Sequence, residues 1–225
     1  YHDLCTRAGK PVAVAVRSSA TAEDLPAASF AGQLESFLNI RNTEELIVAV
    51  QRCFTSLFTN RAIKYREDQG FGNKDVAISV GVQCMVRSDL ASSGVAFTLD
   101  PDTGFQNVVV INSIYGLGEN IVQGRCTPDE FVLFKPHINT GFNPVIQKKT
   151  GKKEWTMIYA DKPGSKDPVE NITTPAEKQE QYSLSEADAI TLGKWCLQIE
   201  QHYNKPMDIE WAKDGESGLL YIIQA

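Results

Sequence analysis

Apolar residues recur along this chain with two different periods. From Asn42 to about Phe58, Leu46, Val50, Cys53 and Leu57 fall at i, i+4, i+7 and i+11, which predicts an amphipathic helix. Ile47, Phe54 and Phe58 widen its apolar face, and Asn42-x-x-Glu45 matches a capping box at its start. A second short helix is predicted from Asn60 to about Gln69, ending at Gly70. Ser185-x-x-Asp188 opens another, with the stripe Leu192, Cys196, Ile199 and Tyr203. Elsewhere β-branched runs predict strands: Val12–Val16, Val76–Val86, Gly94–Leu99 and Val108–Ser113, with a turn at Pro101-Asp-Thr-Gly104. Glu130–Lys135, Pro144–Lys149 and Glu154–Ala160 are weaker strand candidates. Met207–Ala212 and Leu219–Gln224 form a last pair, joined around Asp214-Gly215 and Gly218. The stretch Asp161–Ser183 is polar and holds Pro163, Gly164, Pro168 and Pro175, so it is expected to be an exposed connection. Strands and helices mixed in this order predict an α+β fold.

Composition narrows the function classes. The chain has 225 residues, 42% hydrophobic and 22% charged, with a net charge of −6, which is a soluble globular balance with ample length for a core. An acidic chain is a poor general binder of nucleic acid or anionic membrane. No apolar run approaches the roughly 20 residues that span a bilayer. No signal peptide is visible, although Tyr1 is not a natural start and leaves an upstream segment open. Cys5, Cys53, Cys84, Cys126 and Cys196 are scattered and form no Cys-x-x-Cys pair, which fits reduced thiols in a cytoplasmic protein. His2, His137 and His202 show no ligand spacing.

Candidate chemistry lies in four places. Arg17 follows the first strand and leads Ser18, Ser19 and Thr21 toward Gly32-Gln33. An arginine fork, hydroxyls and close glycine N–H groups together suit phosphate oxygens, while a salt bridge to Glu23 or Asp24 is the structural alternative. Asp208 and Glu210 fall on one face of their strand, about 7 Å apart. They can hold Mg²⁺ through oxygen, and Gln224 can add a carbonyl oxygen from the neighbouring strand; alone, such a strand is a solvated face. Gln83-Cys84-Met85-Val86 ends a buried strand, where backbone groups can read an adenine edge, or it is simply core. Tyr115-Gly-Leu-Gly-Glu119 is glycine-rich but lacks the Gly-x-Gly-x-x-Gly of a dinucleotide site, and loop packing also accounts for it.

The ordered string Val12-Ala-Val-Ala-Val-Arg17-Ser-Ser-Ala-Thr21 through Phe30-Ala-Gly32-Gln33 resembles a family signature, and the resemblance continues through Gln83-Cys-Met85-Val86-Arg-Ser-Asp-Leu-Ala-Ser-Ser-Gly94, Tyr115-Gly-Leu-Gly-Glu119, Pro128-Asp-Glu-Phe and Pro206-Met-Asp208-Ile-Glu210-Trp to Gln224-Ala225. The family is phosphoenolpyruvate synthase, whose ATP-binding domain is shared with pyruvate phosphate dikinase and rifampicin phosphotransferase. The Arg-Ser-Asp-Leu-Ala-Ser-Ser-Gly block is similar to the synthase. The resemblance implies an ATP-grasp fold, with about 1–75 the remainder of a first lobe truncated at its N-terminal end and about 76–225 the second lobe. It implies ATP and Mg²⁺ as ligands. Arg17 would act on phosphate during transfer, Ser18, Thr21, Gly32 and Gln33 would line the phosphates, and Gln83, Met85 and Val86 would hold adenine. Glu119 would meet the ribose, and Glu210, Gln224 and, less directly, Asp208 would hold the metal. In the family ATP phosphorylates a carrier histidine on a separate domain of the same polypeptide, which passes the group on to pyruvate, and the whole enzyme is a homo-oligomer. A rifampicin phosphotransferase or dikinase domain and a non-catalytic nucleotide-binding module are the alternatives. Two family features are missing: the lysine of an early Gly-Gly-Lys segment and an arginine just beyond Ala225.

Overall fold

The computed structural model describes residues 1–20, 24–25, 28–29, 36–68, 70, 76–160 and 168–225. The chain divides into two units, Tyr1–Met85 with Gly164–Pro168, and Val86–Pro163 with Val169–Ala225. Both mix helix and sheet, as an α+β reading requires.

The first unit runs α1 (His2–Ala8), β1 (Val14–Ala20), β2 (Asp24–Leu25), β3 (Ala28–Ser29), β4 (Ser36–Ile40), α2 (Thr43–Ser56), α3 (Asn60–Asp68) and β5 (Ile78–Cys84). Its main sheet has the order β4-β1-β5, antiparallel throughout. β1 is the central strand, and its Val14 and Val16 pack with Ile40, Ala49 and Cys53 beneath α2. One arm of the predicted capping box forms at the start of α2, where Asn42 Oδ1 accepts from Glu45 N–H at 2.8 Å. The Glu45 carboxylate accepts from Arg41 N–H at 3.1 Å, one residue before the expected donor. The apolar face of α2 is narrower than predicted. Ala49 and Cys53 are buried, yet Ile47, Phe54 and Phe58 are exposed. Ile47 and Phe54 lie about 100° round the helix from the Leu46–Val50–Cys53 stripe, so one sheet cannot cover both, and Phe58 falls beyond the end of α2. Arg66 on α3 is buried and donates through Nη2 to the Leu57 carbonyl at 2.8 Å, tying the end of α2 to α3.

The second unit runs β6 (Ser92–Phe97), β7 (Val108–Tyr115), α4 (Glu119–Val122), β8 (Asp129–Phe134), α5 (Lys135–Ile138), β9 (Val145–Lys149), β10 (Trp155–Tyr159), β11 (Val169–Thr173), α6 (Ala176–Gln179), α7 (Glu186–Tyr203), β12 (Asp208–Lys213) and β13 (Leu220–Gln224). Six strands form one antiparallel sheet in the order β13-β12-β6-β7-β8-β9. Helix α7 covers one face: Ala189, Leu192 and Cys196 pack with Ala96, Ile111, Phe131, Leu133, Ile209 and Trp211. Gly193 lets it close in, since a Cβ there would stand 2.7 Å from Leu133 Cδ2. Tyr203, predicted in the α7 stripe, is exposed at the last turn.

The stretch predicted as a plain connection, Asp161–Ser183, instead contains β11 and α6 among its described residues. Strand β11 pairs with β10 over its whole length. Val169-Glu-Asn-Ile-Thr carries only two apolar residues out of alternation, so no period marks it as a strand. A buried ion pair anchors this part of the unit. Lys153 donates to Asp129 Oδ1 at 2.5 Å and to the carbonyls of Gly151 and Gln179 at 2.8 and 3.0 Å. Asp129 also accepts from Gly151 N–H, Ser183 N–H and Ser183 Oγ at 2.9, 2.7 and 2.7 Å.

All five cysteines are free thiols. Cys53 and Cys196 are buried, Cys5 and Cys126 are half-buried and Cys84 is exposed. Burial pushes the Cys196 thiol up to about 12 and the Cys126 thiol up to about 11. Among the described residues no helix is long and apolar enough to cross a membrane.

Candidate functional site

In the first unit the strand register decides which candidate side chains meet. Ala15 lies opposite Gln83 and Arg17 opposite Gly81, so Arg17 and Gln83 project from the same face of the sheet. That face is opposite to the one on which Val14, Val16 and Val80 pack with α2. Ser18 lies opposite Val80, on the helix-facing side. The register therefore separates Ser18 from Arg17. Arg17 and Ser18 are half-buried. Past the end of β5, Met85 N–H donates to the Ala13 carbonyl at 2.9 Å, which keeps the strand's exit alongside the start of β1. Thr21, Gly32 and Gln33 lie outside the described residues.

In the second unit Asp208, Glu210 and Gln224 come together. Asp208 and Glu210 alternate with the buried Ile209 and Trp211 on β12. Glu210 pairs with Gln224 across β12 and β13, and the register then slips by one residue before Trp211 meets Ile222. This slip is a bulge at Ile223, and it is what seats Gln224 directly opposite Glu210. Paired residues hold their Cβ atoms about 5 Å apart on one face. The same row continues across the sheet through Val95, Asn112, Glu130 and Lys149. Asn112 and Glu130 are half-buried on this face and were passed over in the sequence. Counting the antiparallel register from Glu210 would have found them, but only once the strand order was known.

The donor set here is two carboxylates and an amide oxygen. Among the described residues no three His, Cys, Asp or Glu side chains gather as a metal site. Two hard oxygen anions and one neutral oxygen suit a cation that keeps water and phosphate as further ligands, as Mg²⁺ does.

Glu119 opens α4 and accepts from Gln123 Nε2 at 2.6 Å. The glycine-rich loop before it is pinned by packing. Gly116 has φ +82°, and a Cβ there would run into the Met157 carbonyl. Ser93 Oγ donates to the Gly116 carbonyl at 2.6 Å, and Leu117 N–H donates to the Met157 carbonyl at 2.9 Å. Val86 is half-buried at the start of this unit, and its carbonyl accepts from Ser88 N–H at 2.7 Å.

The model of the family described as "Pyruvate phosphate dikinase, AMP/ATP-binding domain" matches residues 1–225. The chain belongs to this family. Curated relatives of this AMP/ATP-binding domain are named phosphoenolpyruvate synthase. That of Aquifex aeolicus is 52% identical over 220 residues, covering 95% of this chain and 25% of the relative. That of Helicobacter pylori is 51% identical, over 96% of this chain and 27% of the relative. That of Escherichia coli is 50% identical, over 94% and 27%. The AMP/ATP-binding domain thus spans about a quarter of the length of these relatives.

Proposed function

We propose that this chain is the Mg²⁺-ATP domain of a phosphoenolpyruvate synthase, with an ATP-grasp fold. ATP bound here phosphorylates a histidine on a carrier domain of the same polypeptide, so that pyruvate, ATP and water become phosphoenolpyruvate, AMP and phosphate. Family membership and the relatives' names support the synthase over a rifampicin-directed enzyme. The observation that carries the nucleotide role is the bulged register that sets Gln224 against Glu210 with Asp208 on the same face. Bound there, Mg²⁺ would shield phosphate charge and orient the chain of phosphates. Glu210 and Gln224 would hold it, with Asp208 at the exposed end of the row. Arg17 would offer its N–H fork to phosphate oxygens, because phosphoryl transfer depends on positioning and charge stabilisation. Gln83, Met85 and Val86 would hold the base, and Glu119 would accept from ribose hydroxyls.

Titration of the full-length polypeptide with ATP, with and without Mg²⁺, tests this reading. Wild-type protein should bind Mg²⁺-ATP more tightly than metal-free ATP, and Glu210→Gln should erase most of that difference. Equal loss for both forms would mean that Glu210 does not act through the metal.

A further inference from the structure

Arg87 stands one residue after Val86 and is attached at both backbone and side chain to a distant turn. Its N–H donates to Asp214 Oδ2 at 3.1 Å, and its carbonyl accepts from Gly215 N–H at 3.0 Å. Through Nε and Nη2 its guanidinium grips both oxygens of Asp89, at 2.8 and 2.9 Å. Through Nη1 it reaches Glu216 at 3.0 Å, across 129 positions of sequence. The Tyr159 ring lies 5.0 Å from its Cζ. Asp89 keeps the guanidinium proton well above its ordinary range, even against partial burial.

The turn reached in this way, Asp214 to Gly218, joins β12 to β13. It is already closed without Arg87. Asp214 Oδ1 accepts from Glu216 N–H at 3.0 Å and Ser217 N–H at 2.7 Å, and Asp214 N–H donates to the Leu219 carbonyl at 2.8 Å. A steric fit accompanies the hydrogen bonds, since a Cβ at Gly215 would run into Leu90 Cβ and stand 2.9 Å from the Leu90 carbonyl carbon. The turn therefore lies flat against the short 3₁₀ turn Ser88–Leu90. Strand β13 is the outer strand of its sheet and is held by neighbours on one side only. Its position is set by the β12 ladder, by Leu220 and Ile222 against the core, and by this turn.

We infer that Arg87 is a positioning residue for nucleotide binding: it locks the hairpin bearing Asp208, Glu210 and Gln224 to the chain leaving Val86, so that these groups hold a fixed relation. This rests on the nucleotide reading given above. The Asp89 pair is local and aims the guanidinium; the Glu216 arm makes the long link. With side-chain exposures of 31% and 42%, that arm adds little to stability, because exposed pairs contribute at most about 1 kcal/mol. Its consequence is therefore geometric.

The test compares wild type, Arg87→Met, Arg87→Lys and Glu216→Ala in the full-length polypeptide. Kd is measured for Mg²⁺-ATP and for ATP in chelator, beside Tm. Arg87→Met should cut the affinity gained from Mg²⁺ about tenfold, the range in which residues supporting metal ligands act. Arg87→Lys should recover part, since it keeps the charge but not the two-pronged grip. Glu216→Ala should lose a smaller part with Tm unchanged. Substitutions that lower Tm or do nothing, while leaving the Mg²⁺ gain at its wild-type value, would overturn the role of Arg87. If Arg87→Met does not fold, Glu216→Ala decides. Wild-type protein that fails to bind ATP would overturn the nucleotide reading itself, before any substitution enters.

Discussion

Lys153 and Asp129 illustrate how a single residue can be unreadable in sequence and decisive in the fold. Both side chains are fully buried, and every Lys153 donor has an acceptor. Paired ions of this kind cost little net energy, but removing one partner strands the other. Lys153→Met should therefore lower stability by about 3–5 kcal/mol, and adding Asp129→Asn should restore part of it; urea melts of the two variants check this. Pro128-Asp129-Glu130-Phe131 stands out as a block in the sequence, yet nothing in it announces a partner 24 positions on. Arg17 was singled out because its strand and the hydroxyls after it are contiguous, yet the register turns Ser18 to the other face, which contiguity alone does not reveal. In the full-length polypeptide Arg17→Ala should slow ATP-dependent phosphorylation of the carrier histidine by about 10²–10³-fold with Tm hardly changed. A large loss of stability with normal phosphorylation would make Arg17 a folding residue.

At the scale of elements, periodic pattern and caps were informative wherever one face meets one layer. The Ser185 cap of α7, whose Oγ accepts from Asp188 N–H at 3.1 Å, and the six-stranded sheet's component strands follow from local sequence. Strand β11 does not, because a two-stranded ribbon needs no long apolar run to pair. The bulge at Ile223 was equally hidden, since it depends on the partner strand and not on β13 itself. The β12–β13 turn also predicts a pH response. Burial pushes the Asp214 carboxyl up, but donors from Ser217, Arg87 and Glu216 outweigh this and hold it below its ordinary value of 3.8. A carboxyl lowered in the folded state supplies stability above that ordinary value and loses it as pH falls through the lower folded one. Asp214→Asn should accordingly melt below wild type near neutrality, and the two Tm curves should converge as pH falls through the lowered folded value. A constant gap across that range would exclude Asp214 as the titrating group.

The whole molecule joins two units with unlike cores. Among the described residues, α7 and the six-stranded sheet of the second share one continuous cluster of twelve buried residues, whereas those of the first fall into clusters of four and five. Local opening is easiest where buried apolar contact is least. Amides at Ile111 and Leu133 should thus exchange hydrogen more slowly than those of β5, as mass spectrometry would show; equal protection would contradict the difference. At this scale composition told only that the chain is acidic and globular, and the ordered blocks, not residue physics, carried the family. The five thiols have a use that none of this requires. Each unit encloses one buried cysteine, Cys53 in the first and Cys196 in the second, while Cys84 stands exposed between Gln83 and Met85. Because alkylation needs an accessible thiolate, an iodoacetamide time course followed by peptide mapping would work as a pair of clocks. Cys84 marks the start, and the later capture of Cys53 and Cys196 times the opening of each unit separately, in unlabelled protein and without substituting a residue.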